Sequence, residues 1–297
     1  MIPWKRHKPT IQILTCMYQR PLVSELFILS VRRLQEKYSR QYHIRVHAAV
    51  SEEASAEVCR KYGITYIYTE NYPVGAKWNA AINDVMQFEF DYLMFCGDDD
   101  VYSNELLNLY KPCIDKSIAY FGVNQTYMYC THTEEALFFQ YASSSSRIIG
   151  SARMLSRTLI EDVCLQIEVE CLRDLLSYKK GNIIRLPVRQ ADYFEAISMV
   201  KRYSSLPEYS LWNPVLNKGL DLSSESFLVS QNYIPVVVPS RQALITGIKT
   251  SVNIWSFDSF RNLAVKVNKK EALSFLSQSE WEQLEKIKEY EKELKRI

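Results

Sequence analysis

The sequence has no excess of charge of either sign: over 297 residues, lysine and arginine outnumber aspartate and glutamate by only two. A protein that binds nucleic acid mainly through phosphates needs a broad positive field, and this near balance excludes such a field for the chain as a whole. With 47% hydrophobic and 24% charged residues, the composition is that of an ordinary soluble globular protein.

Long apolar runs are also missing. No stretch approaches the roughly 20 apolar residues that span a membrane. The N-terminal run at 11–14, Ile-Gln-Ile-Leu, is far shorter than the apolar core of a signal peptide. We therefore expect no transmembrane span and a cytoplasmic location.

Paired cysteines are absent as well. The seven cysteines are scattered, none forms a Cys-x-x-Cys motif, and none lies at zinc-ligand spacing from one of the four histidines. This pattern predicts reduced, mostly buried thiols in a reducing compartment.

Strand and helix patterns alternate from Thr10 onward, which predicts βαβ units. Such units build a mostly parallel sheet whose ligands bind beyond the carboxyl ends of the strands. The sequence therefore predicts an α/β, Rossmann-like fold with helices flanking the sheet. The predicted strands cover 10–18, 42–50, 64–70 and 91–97, and the predicted helices cover 21–38, 55–62 and 75–88.

The pattern is looser in the second half of the chain. Two strand-like stretches, 117–130 and 134–142, precede a polar loop and a helix that starts at 157. Residues 203–232 are rich in Ser, Asn, Pro and Gly and carry aromatic residues, a composition that favours a binding loop.

The C-terminal stretch 279–297 has the pattern of an amphipathic helix. Its charges alternate in sign, so it lacks the one-signed polar face of a membrane-surface helix. Because a helix of this length is marginal alone in water, we expect it to pack on the main domain or on a second subunit of a homodimer. Its apolar face consists of Leu284, Ile287, Tyr290, Leu294 and Ile297.

Three consecutive carboxylates, Asp98, Asp99 and Asp100, follow the apolar run 92–96. Mutual repulsion and lost solvation oppose ionisation of such a cluster at the end of a buried strand. Hard divalent ions such as Mn²⁺ and Mg²⁺ prefer carboxylate oxygen and offset the repulsion. The cluster therefore predicts a metal site that holds phosphates. The alternative is a solvated turn in which one aspartate caps the following helix.

The order and spacing of three motifs, at 10–21, 71–85 and 91–103, resemble the nucleotide-sugar-binding half of inverting, family-2-like glycosyltransferases of the GT-A fold. The aspartates stand in the place of that family's Asp-x-Asp motif, and a weaker resemblance extends to about residue 260. It implies a GT-A-type mixed sheet in a domain at 1–260, followed by a C-terminal helical extension at 261–297.

The resemblance also implies an activity: transfer of a hexosyl or pentosyl group from a nucleotide-diphosphate sugar to an acceptor hydroxyl, with inversion and with Mn²⁺ or Mg²⁺. A UDP-sugar is the favoured donor. The acceptor stays open between a glycan, a lipid-linked sugar, a protein and a modified nucleic acid.

The resemblance further implies a set of donor-binding residues. The family's usual base-binding aspartate after the second strand is missing, so Ser51 or Glu52 takes its place. The metal ligands are either Asp98 with Asp100 or Asp99 with Asp100. The positions carried over for nucleotide and diphosphate are Thr15, Met17, Tyr18, Arg20, Ser51, Glu52, Gly75, Lys77, Asn79, Asp98, Asp99 and Lys249.

A carboxylate must accept the proton of the acceptor hydroxyl. The family's base lies late in the fold, which points to Asp221, with Glu161, Asp162 and Asp192 as rivals and Glu225 four residues further on.

Other side chains have two open interpretations each. Trp212 and Trp255 either stack on a sugar or pack in the protein. Arg153 and Arg157 either face an acceptor or phosphate or lie on the surface. Asn253 stands where many relatives carry a histidine metal ligand.

Two other function classes use similar folds. A nucleotidyltransferase would also use a carboxylate-bound metal, but its glycine-rich phosphate loop is missing, because residues 13–21 contain no glycine. A non-catalytic carbohydrate-binding protein is the second alternative.

Overall fold

Two mixed β-sheets flanked by helices form the architecture in the computed structural model, which describes residues 8–142, 144–163, 209–213, 216–251 and 257–294. The α/β fold class expected from the sequence, with a mixed sheet between helices, is confirmed. No helix within these ranges is long and apolar enough to cross a membrane.

The elements follow the chain in a largely alternating order. The strands are β1 Thr10–Met17, β2 His43–Val50, β3 Thr65–Tyr68, β4 Tyr92–Gly97, β5 Asp100–Tyr102, β6 Tyr120–Gly122, β7 Gln125–Cys130, β8 Ala136–Gln140, β9 Arg153–Ser156, β10 Val236–Val237, β11 Ile245–Lys249 and β12 Val265–Val267. The helices are α1 Pro21–Tyr38, α2 Glu53–Tyr62, α3 Val74–Val85, α4 Leu106–Asp115, α5 Leu220–Ser230, α6 Lys269–Ala272 and α7 Gln278–Leu294, with a helical segment at 157–163 and a 3-10 turn at Phe257–Phe260.

The first sheet has the strand order β10-β6-β9-β4-β1-β2-β3. Strands β4, β1, β2 and β3 are parallel, so their carboxyl ends share one edge of the sheet. Strand β9 lies antiparallel between β4 and β6. It makes the sheet mixed and carries Arg153 to the centre of the fold.

The second sheet has the order β12-β8-β7-β11-β5. Its edge strand β5 starts at Asp100, three residues after β4 ends, and pairs antiparallel with β11. The acidic cluster therefore lies where the chain passes from one sheet to the other. This pairing brings the end of β11 to the cluster from more than a hundred residues away.

Helix α1 shows how the sequence pattern becomes packing. Pro21 occupies its first turn, where a missing N–H costs nothing, and apolar residues recur at helical spacing. Val23, Phe27, Val31 and Leu34 are buried, three of them against the first sheet and Val23 against the second. Helices α3 and α5 and the segment 209–213 pack on the other face of the first sheet.

The C-terminal helix α7 packs on α1 and on the second sheet, which is one of the two arrangements expected for it. Leu284 and Ile287 are buried, whereas Tyr290 and Leu294 are about half exposed. Glu280 is fully buried and pairs with Arg33 at 2.9 Å. The buried face is therefore narrower and more polar than the apolar pattern predicts.

Leu284→Ala is expected to lower the free energy of unfolding by about 2–5 kcal/mol, because it removes a fully buried side chain and leaves a cavity. The matched control is Leu294→Ala in the same helix, which should stay within about 0.5 kcal/mol of the wild type because Leu294 is largely solvated. Urea denaturation measures both. Equal effects at the two positions would show that α7 is not docked as described.

Three sequence-based expectations need correction. Residues 220–230 form helix α5, although their composition favours a loop, because Leu220, Ser224 and Leu228 pack at helical spacing. Strand β9 lies at the end of the stretch that the sequence predicts to be a polar loop. The chain also has no boundary at residue 260, since β12 pairs with β8 inside the second sheet.

Candidate active site at the carboxyl edge of the first sheet

A buried lysine ties together the elements that end at this edge. The Lys77 ammonium donates to the Met17 carbonyl at 2.8 Å, to Ser51 Oγ at 2.7 Å and to Asn71 Oδ1 at 3.2 Å. Met17 is the last residue of β1, Ser51 follows β2, and Asn71 precedes α3. The Tyr18 ring lies 5.7 Å from the same ammonium. Lys77 is only 1% exposed, so a positive charge is held beneath the surface at the carboxyl edge of the first sheet.

Burial lowers the pKa of Lys77, while the nearby Cys16, Asp98 and Glu52 act in the opposite direction. The three hydrogen-bond acceptors keep the ammonium form, since an amine needs fewer of them. Because these acceptors use all three N–H donors of the ammonium, Lys77 acts on a bound anion through its positive charge and not through a direct hydrogen bond.

The three aspartates do not converge as one set of ligands. Asp98 points towards α1, where it accepts from Arg20 and from Ser24 Oγ at 2.9 Å. Asp99 pairs with Lys249 at 2.8 Å. Asp100 accepts from the Gly97 amide at 3.1 Å. The chain turns after Gly97 instead of continuing as a strand, so Asp98 and Asp100 are not alternate residues of one strand.

Asp99 and Asp100 each place a carboxylate oxygen close to Gly97. Asp99 Oδ1 and Asp100 Oδ2 each lie 2.7 Å from the position that a Cβ on Gly97 would occupy. Any side chain at 97 would therefore displace both carboxylates. This residue must be glycine because of that close approach, not because of its backbone angles.

The carboxyl groups differ in their electrostatic surroundings. Burial raises the pKa of Asp98, against the opposing charge of Arg20. Burial also acts on Asp99, but Lys249 and Arg20 outweigh it and lower its pKa to about 2. Burial and the charge of Asp99 raise the pKa of Asp100 to about 7. Of the three aspartates, Asp100 thus has the fewest nearby positive charges to offset its own negative charge.

Within the described residues, no three His, Cys, Asp or Glu side chains are arranged as a preformed metal centre. Of the two pairs that the sequence leaves open, Asp98 with Asp100 and Asp99 with Asp100, the second is the one we develop: Asp98 is buried against Arg20 and Ser24, whereas Asp99 lies beside Lys249 and follows the turn towards Asp100. The donor set of Asp99 and Asp100 does fit a hard divalent cation, which commonly takes one or two carboxylates and completes its shell with water and phosphate oxygens.

Lys249 reaches the cluster through strand pairing. Gly247 pairs with Asp100 in the β11–β5 ladder, and the Ile248 amide donates to the Asp99 carbonyl at 2.7 Å. The far end of the strand is fixed by Thr131, whose amide donates to the Lys249 carbonyl at 3.0 Å. Lys249 therefore lies beside Asp99, and its contact with phosphate stays a prediction.

The residues expected after β1 have different positions. Thr15 is fully buried within the sheet, and Met17 packs its side chain in the core and offers only its carbonyl, to Lys77. Neither side chain is available to a nucleotide, which corrects that expectation. Tyr18 and Arg20 do lie at the edge, where the Tyr18 ring meets the exposed Tyr72 edge-to-face at 6.4 Å.

Ser51 and Glu52 have different hydrogen-bonding states. Ser51 Oγ accepts from Lys77. Glu52 Oε1 accepts from the Gln19 amide at 2.9 Å and from the Ser55 hydroxyl, whereas Glu52 Oε2 is buried with no hydrogen-bond partner. Glu52 therefore has a free acceptor next to the lysine, and Ser51 serves mainly to position that lysine.

Gly75 and Asn79 hold a protein segment, not a diphosphate. A Cβ at Gly75 would lie 2.1 Å from the Asn213 carbonyl oxygen. The Asn79 amide group donates to the Trp212 carbonyl at 2.8 Å and to Ser210 Oγ at 2.9 Å, and it accepts from the Trp212 amide at 3.1 Å. With its hydrogen-bonding capacity used in this way, Asn79 has none left for a ligand.

Asn83, one turn further along α3, repeats this clamp on the Tyr209 backbone and was missed from the sequence. The spacing of four residues between two asparagines on a helix is the signal that could have revealed it.

Trp212 is a packing residue at the base of this region. It is 3% exposed, stacks on Trp78 at 5.1 Å and meets Phe95 edge-to-face at 4.8 Å. The interpretation in which Trp212 stacks directly on a sugar is therefore not supported, and the packing interpretation is. Trp255 and Asn253 lie outside the described residues.

Asp221 opens the first turn of α5 and is 69% exposed. Its carboxylate lies 3.5 Å from Nη2 of Arg153. Gly150 leaves the space that it occupies, since a Cβ there would fall 2.2 Å from the carboxyl carbon. Asp221 is thus a solvent-accessible carboxylate held beside Arg153 and Gly150.

The rival carboxylates have other partners. Glu161 pairs with Arg157 at 2.8 Å, and Asp162 accepts from the Tyr233 hydroxyl. Glu225 lies 3.4 Å from Arg147. Asp192 lies outside the described residues.

Arg157 does not face an acceptor. It donates to the Met86 and Phe88 carbonyls at 3.1 and 2.6 Å, just beyond the end of α3. It therefore caps a helix, which corrects the acceptor interpretation for this residue.

Comparisons with known proteins give a likeness in structure only. No family model matches the sequence, and no curated protein matches it significantly. The solved structure of S. aureus TarS 1–349 in complex with UDP is 12% identical over 80% of this chain and 60% of that chain, with a TM-score of 0.40. Glucosyl-3-phosphoglycerate synthase from Mycobacterium tuberculosis, with Mn²⁺, UDP and phosphoglyceric acid, is 11% identical over 52% of this chain and 57% of that chain, with a TM-score of 0.33.

Both neighbours are GT-A glycosyltransferases of family 2, the family that the sequence resembles. This chain spans 60% or less of their length. At these identities and TM-scores the likeness carries no argument about activity, so the function is inferred from the residues of the site.

Proposed function

We propose that this protein is a metal-dependent glycosyltransferase that moves a sugar from a nucleotide-diphosphate sugar, with a UDP-sugar as the favoured donor, to an acceptor hydroxyl with inversion. The observation that carries the proposal is that a buried lysine and the carboxylates of Asp99 and Asp100 lie where the parallel strands β1, β2 and β4 of the first sheet end. Ligands of doubly wound folds bind at this edge.

The departing nucleoside diphosphate needs positive charge near its oxygens. Lys77 supplies a fixed charge whose position does not change during the reaction, because three protein acceptors hold it. Lys249 and Arg20 reach the same cluster from β11 and from the start of α1. These side chains bind and orient the diphosphate.

Asp99 and Asp100 are the residues that would hold Mn²⁺ or Mg²⁺. The bound cation supplies Lewis-acid stabilisation of the diphosphate leaving group. Asp98 acts through Arg20, which it fixes by an ion pair, and so positions a cation instead of binding the metal.

The free acceptor on Glu52 gives the site a means of reading the nucleotide base. A carboxylate oxygen that is buried without a partner bonds an N–H group of the base, and uracil and guanine both present one. Tyr18 and Tyr72 form an aromatic pair at the same edge.

The acceptor hydroxyl loses its proton to Asp221. This carboxylate is 69% exposed and its contact with Arg153 is long, whereas Glu161 pairs closely with Arg157, Asp162 accepts from the Tyr233 hydroxyl and Glu225 is largely buried. Inversion requires attack from the side of the sugar opposite the diphosphate, and a base on α5 would serve that attack.

Incubation of the protein with UDP- and GDP-sugars and Mn²⁺ tests the reaction class. A glycosyltransferase is expected to release nucleoside diphosphate slowly, even when water is the only acceptor. Formation of nucleoside triphosphate and sugar phosphate after pyrophosphate is added would establish a nucleotidyltransferase instead. Tight binding without any product would establish a carbohydrate-binding protein.

Asp221→Asn is expected to lower the release of nucleoside diphosphate by about a hundredfold or more, which is the typical contribution of a positioned base. Donor affinity should stay nearly unchanged, because the residue lies away from Lys77 and the aspartates. The control is Asp162→Asn, which should keep the wild-type rate. A normal rate in Asp221→Asn together with a lost rate in Asp162→Asn would identify Asp162 as the base.

A further inference from the structure

Among the lysines and arginines that the structure describes, Arg153 is the most deeply buried one that the proposed mechanism does not use. It projects from the central strand β9, is 3% exposed, and lies over the rings of Phe95 and Trp212 at 5.4 and 5.5 Å. These rings fix the plane of the guanidinium without using its N–H groups.

The hydrogen-bonding edge of Arg153 is only partly used. Its ion pair within the described residues is the single 3.5 Å contact from Nη2 to Asp221, and its Nε is buried without a hydrogen-bond partner. Nε and one Nη share the edge with which arginine binds carboxylates and phosphates through two parallel bonds. A buried donor left open on that edge is costly unless a ligand takes it.

A second polar group beside Arg153 is also unsatisfied. Tyr120, on β6, is 2% exposed and lies next to the guanidinium, yet its hydroxyl makes no hydrogen bond of normal geometry. Two adjacent buried groups that can both donate, one of them charged, form a site for an oxyanion.

The charged side chains near Arg153 leave the Nε edge of its guanidinium unpaired. Arg147 and Glu225 engage each other at 3.4 Å, and Arg147 also lies over the Tyr141 ring at 4.4 Å. Asp221 contacts Arg153 at 3.5 Å and is 69% exposed, so an incoming anion reaches Arg153 by displacing an exposed carboxylate and not a buried one.

We propose that Arg153 and Tyr120 bind an anionic group of the acceptor, a phosphate or a carboxylate, next to the hydroxyl that receives the sugar. The acceptor part of this inference rests on the proposed function, because it uses Asp221 as the base. The anion site itself rests only on the geometry around Arg153.

The anion site is tested by titrating the full chain with inorganic phosphate at constant ionic strength, followed by tryptophan fluorescence, because Trp212 lies under the guanidinium. Acetate in a parallel titration distinguishes phosphate from carboxylate. Arg153→Met is expected to weaken phosphate binding by at least about tenfold, and Tyr120→Phe by roughly two- to tenfold. The control Arg45→Met removes an exposed arginine at the opposite edge of the sheet and should have no effect.

Asp221→Asn gives the sharpest outcome. If Asp221 competes with the ligand for Arg153, its neutralisation should tighten phosphate binding by about threefold or more. If the Arg153–Asp221 contact is only structural, the substitution leaves binding unchanged or weakens it, and the proposal is overturned. This variant and Tyr120→Phe decide the matter even if Arg153→Met does not fold.

Acceptor use is tested in a separate assay, with glycerol phosphate and glycerol as probe acceptors in the presence of a UDP-sugar. Faster release of UDP with glycerol phosphate than with glycerol, lost in Tyr120→Phe, supports the anionic acceptor. Release of UDP without any phosphate binding would overturn this inference and leave the glycosyltransferase proposal intact. Phosphate binding without release of UDP would support the anion site and contradict the glycosyltransferase proposal.

Discussion

Asp100→Asn is expected to abolish metal-dependent turnover, with a loss of roughly two to three orders of magnitude in the release of nucleoside diphosphate. Asp100 is the common member of both sequence-based metal pairs and faces the same point as Asp99. The amide keeps the shape and can still accept from the Gly97 amide, so the loss reflects the missing charge and not a rearranged turn.

The control for this variant is Asp115→Asn, which removes a surface carboxylate that pairs with Lys111. It should retain wild-type turnover. Melting curves for both proteins check that each is folded. Undiminished turnover of Asp100→Asn in EDTA would contradict the assignment of Asp99 and Asp100 to the metal.

Lys77→Met is expected to weaken donor binding by about thirtyfold or more, since removing one partner of a buried charge interaction costs about 2–5 kcal/mol of binding free energy. The effect on folding should be smaller. The Met17 carbonyl and Ser51 lose a hydrogen-bond partner, which destabilises, but a buried charge is also removed, which stabilises.

Isothermal titration with UDP in the presence of Mn²⁺ measures the effect at Lys77. Lys61→Met is the control, because Lys61 lies on the surface and pairs with Glu25. Equal UDP affinity in the Lys77→Met protein and the wild type would show that the buried ammonium only joins β1, β2 and the segment before α3.

The first half of the fold could be predicted from the sequence because it depends on local pattern. The predicted helix at 21–38 coincides with α1, and the first, second and fourth strands end within one residue of their observed limits. In each of them the spacing of apolar residues matches the periodicity of the helix or strand that forms, and boundary residues mark its ends.

Strand β9 shows why the second half could not be predicted in the same way. Its four residues are too few for a period to register, and its place between β4 and β6 depends on pairing with distant strands. The same reason hides β12, three residues long, which continues the second sheet past the expected boundary.

The site was predictable where chemistry depends on residue type and not where it depends on long-range contacts. Lys249 pairs with Asp99 and Lys77 lies near Asp98, so residues chosen by their type do lie at this edge, while their roles towards a nucleotide stay predictions. The engagement of Asp98 by Arg20 and of Asn79 by the Trp212 backbone joins residues 78 and 133 positions apart. Tyr120 carries no sequence signal at all, because only its unsatisfied hydroxyl beside Arg153 marks it.

The central claim is that the carboxyl edge of the first sheet binds a nucleoside diphosphate through Lys77 and through a cation on Asp99 and Asp100. Isothermal titration of the wild-type chain with UDP, once with Mn²⁺ and once with EDTA, tests it most directly. Saturable binding with Mn²⁺ is expected, and it should weaken by at least about tenfold in EDTA because the diphosphate loses the bound cation. Binding of equal strength in both titrations, or none in either, would contradict it.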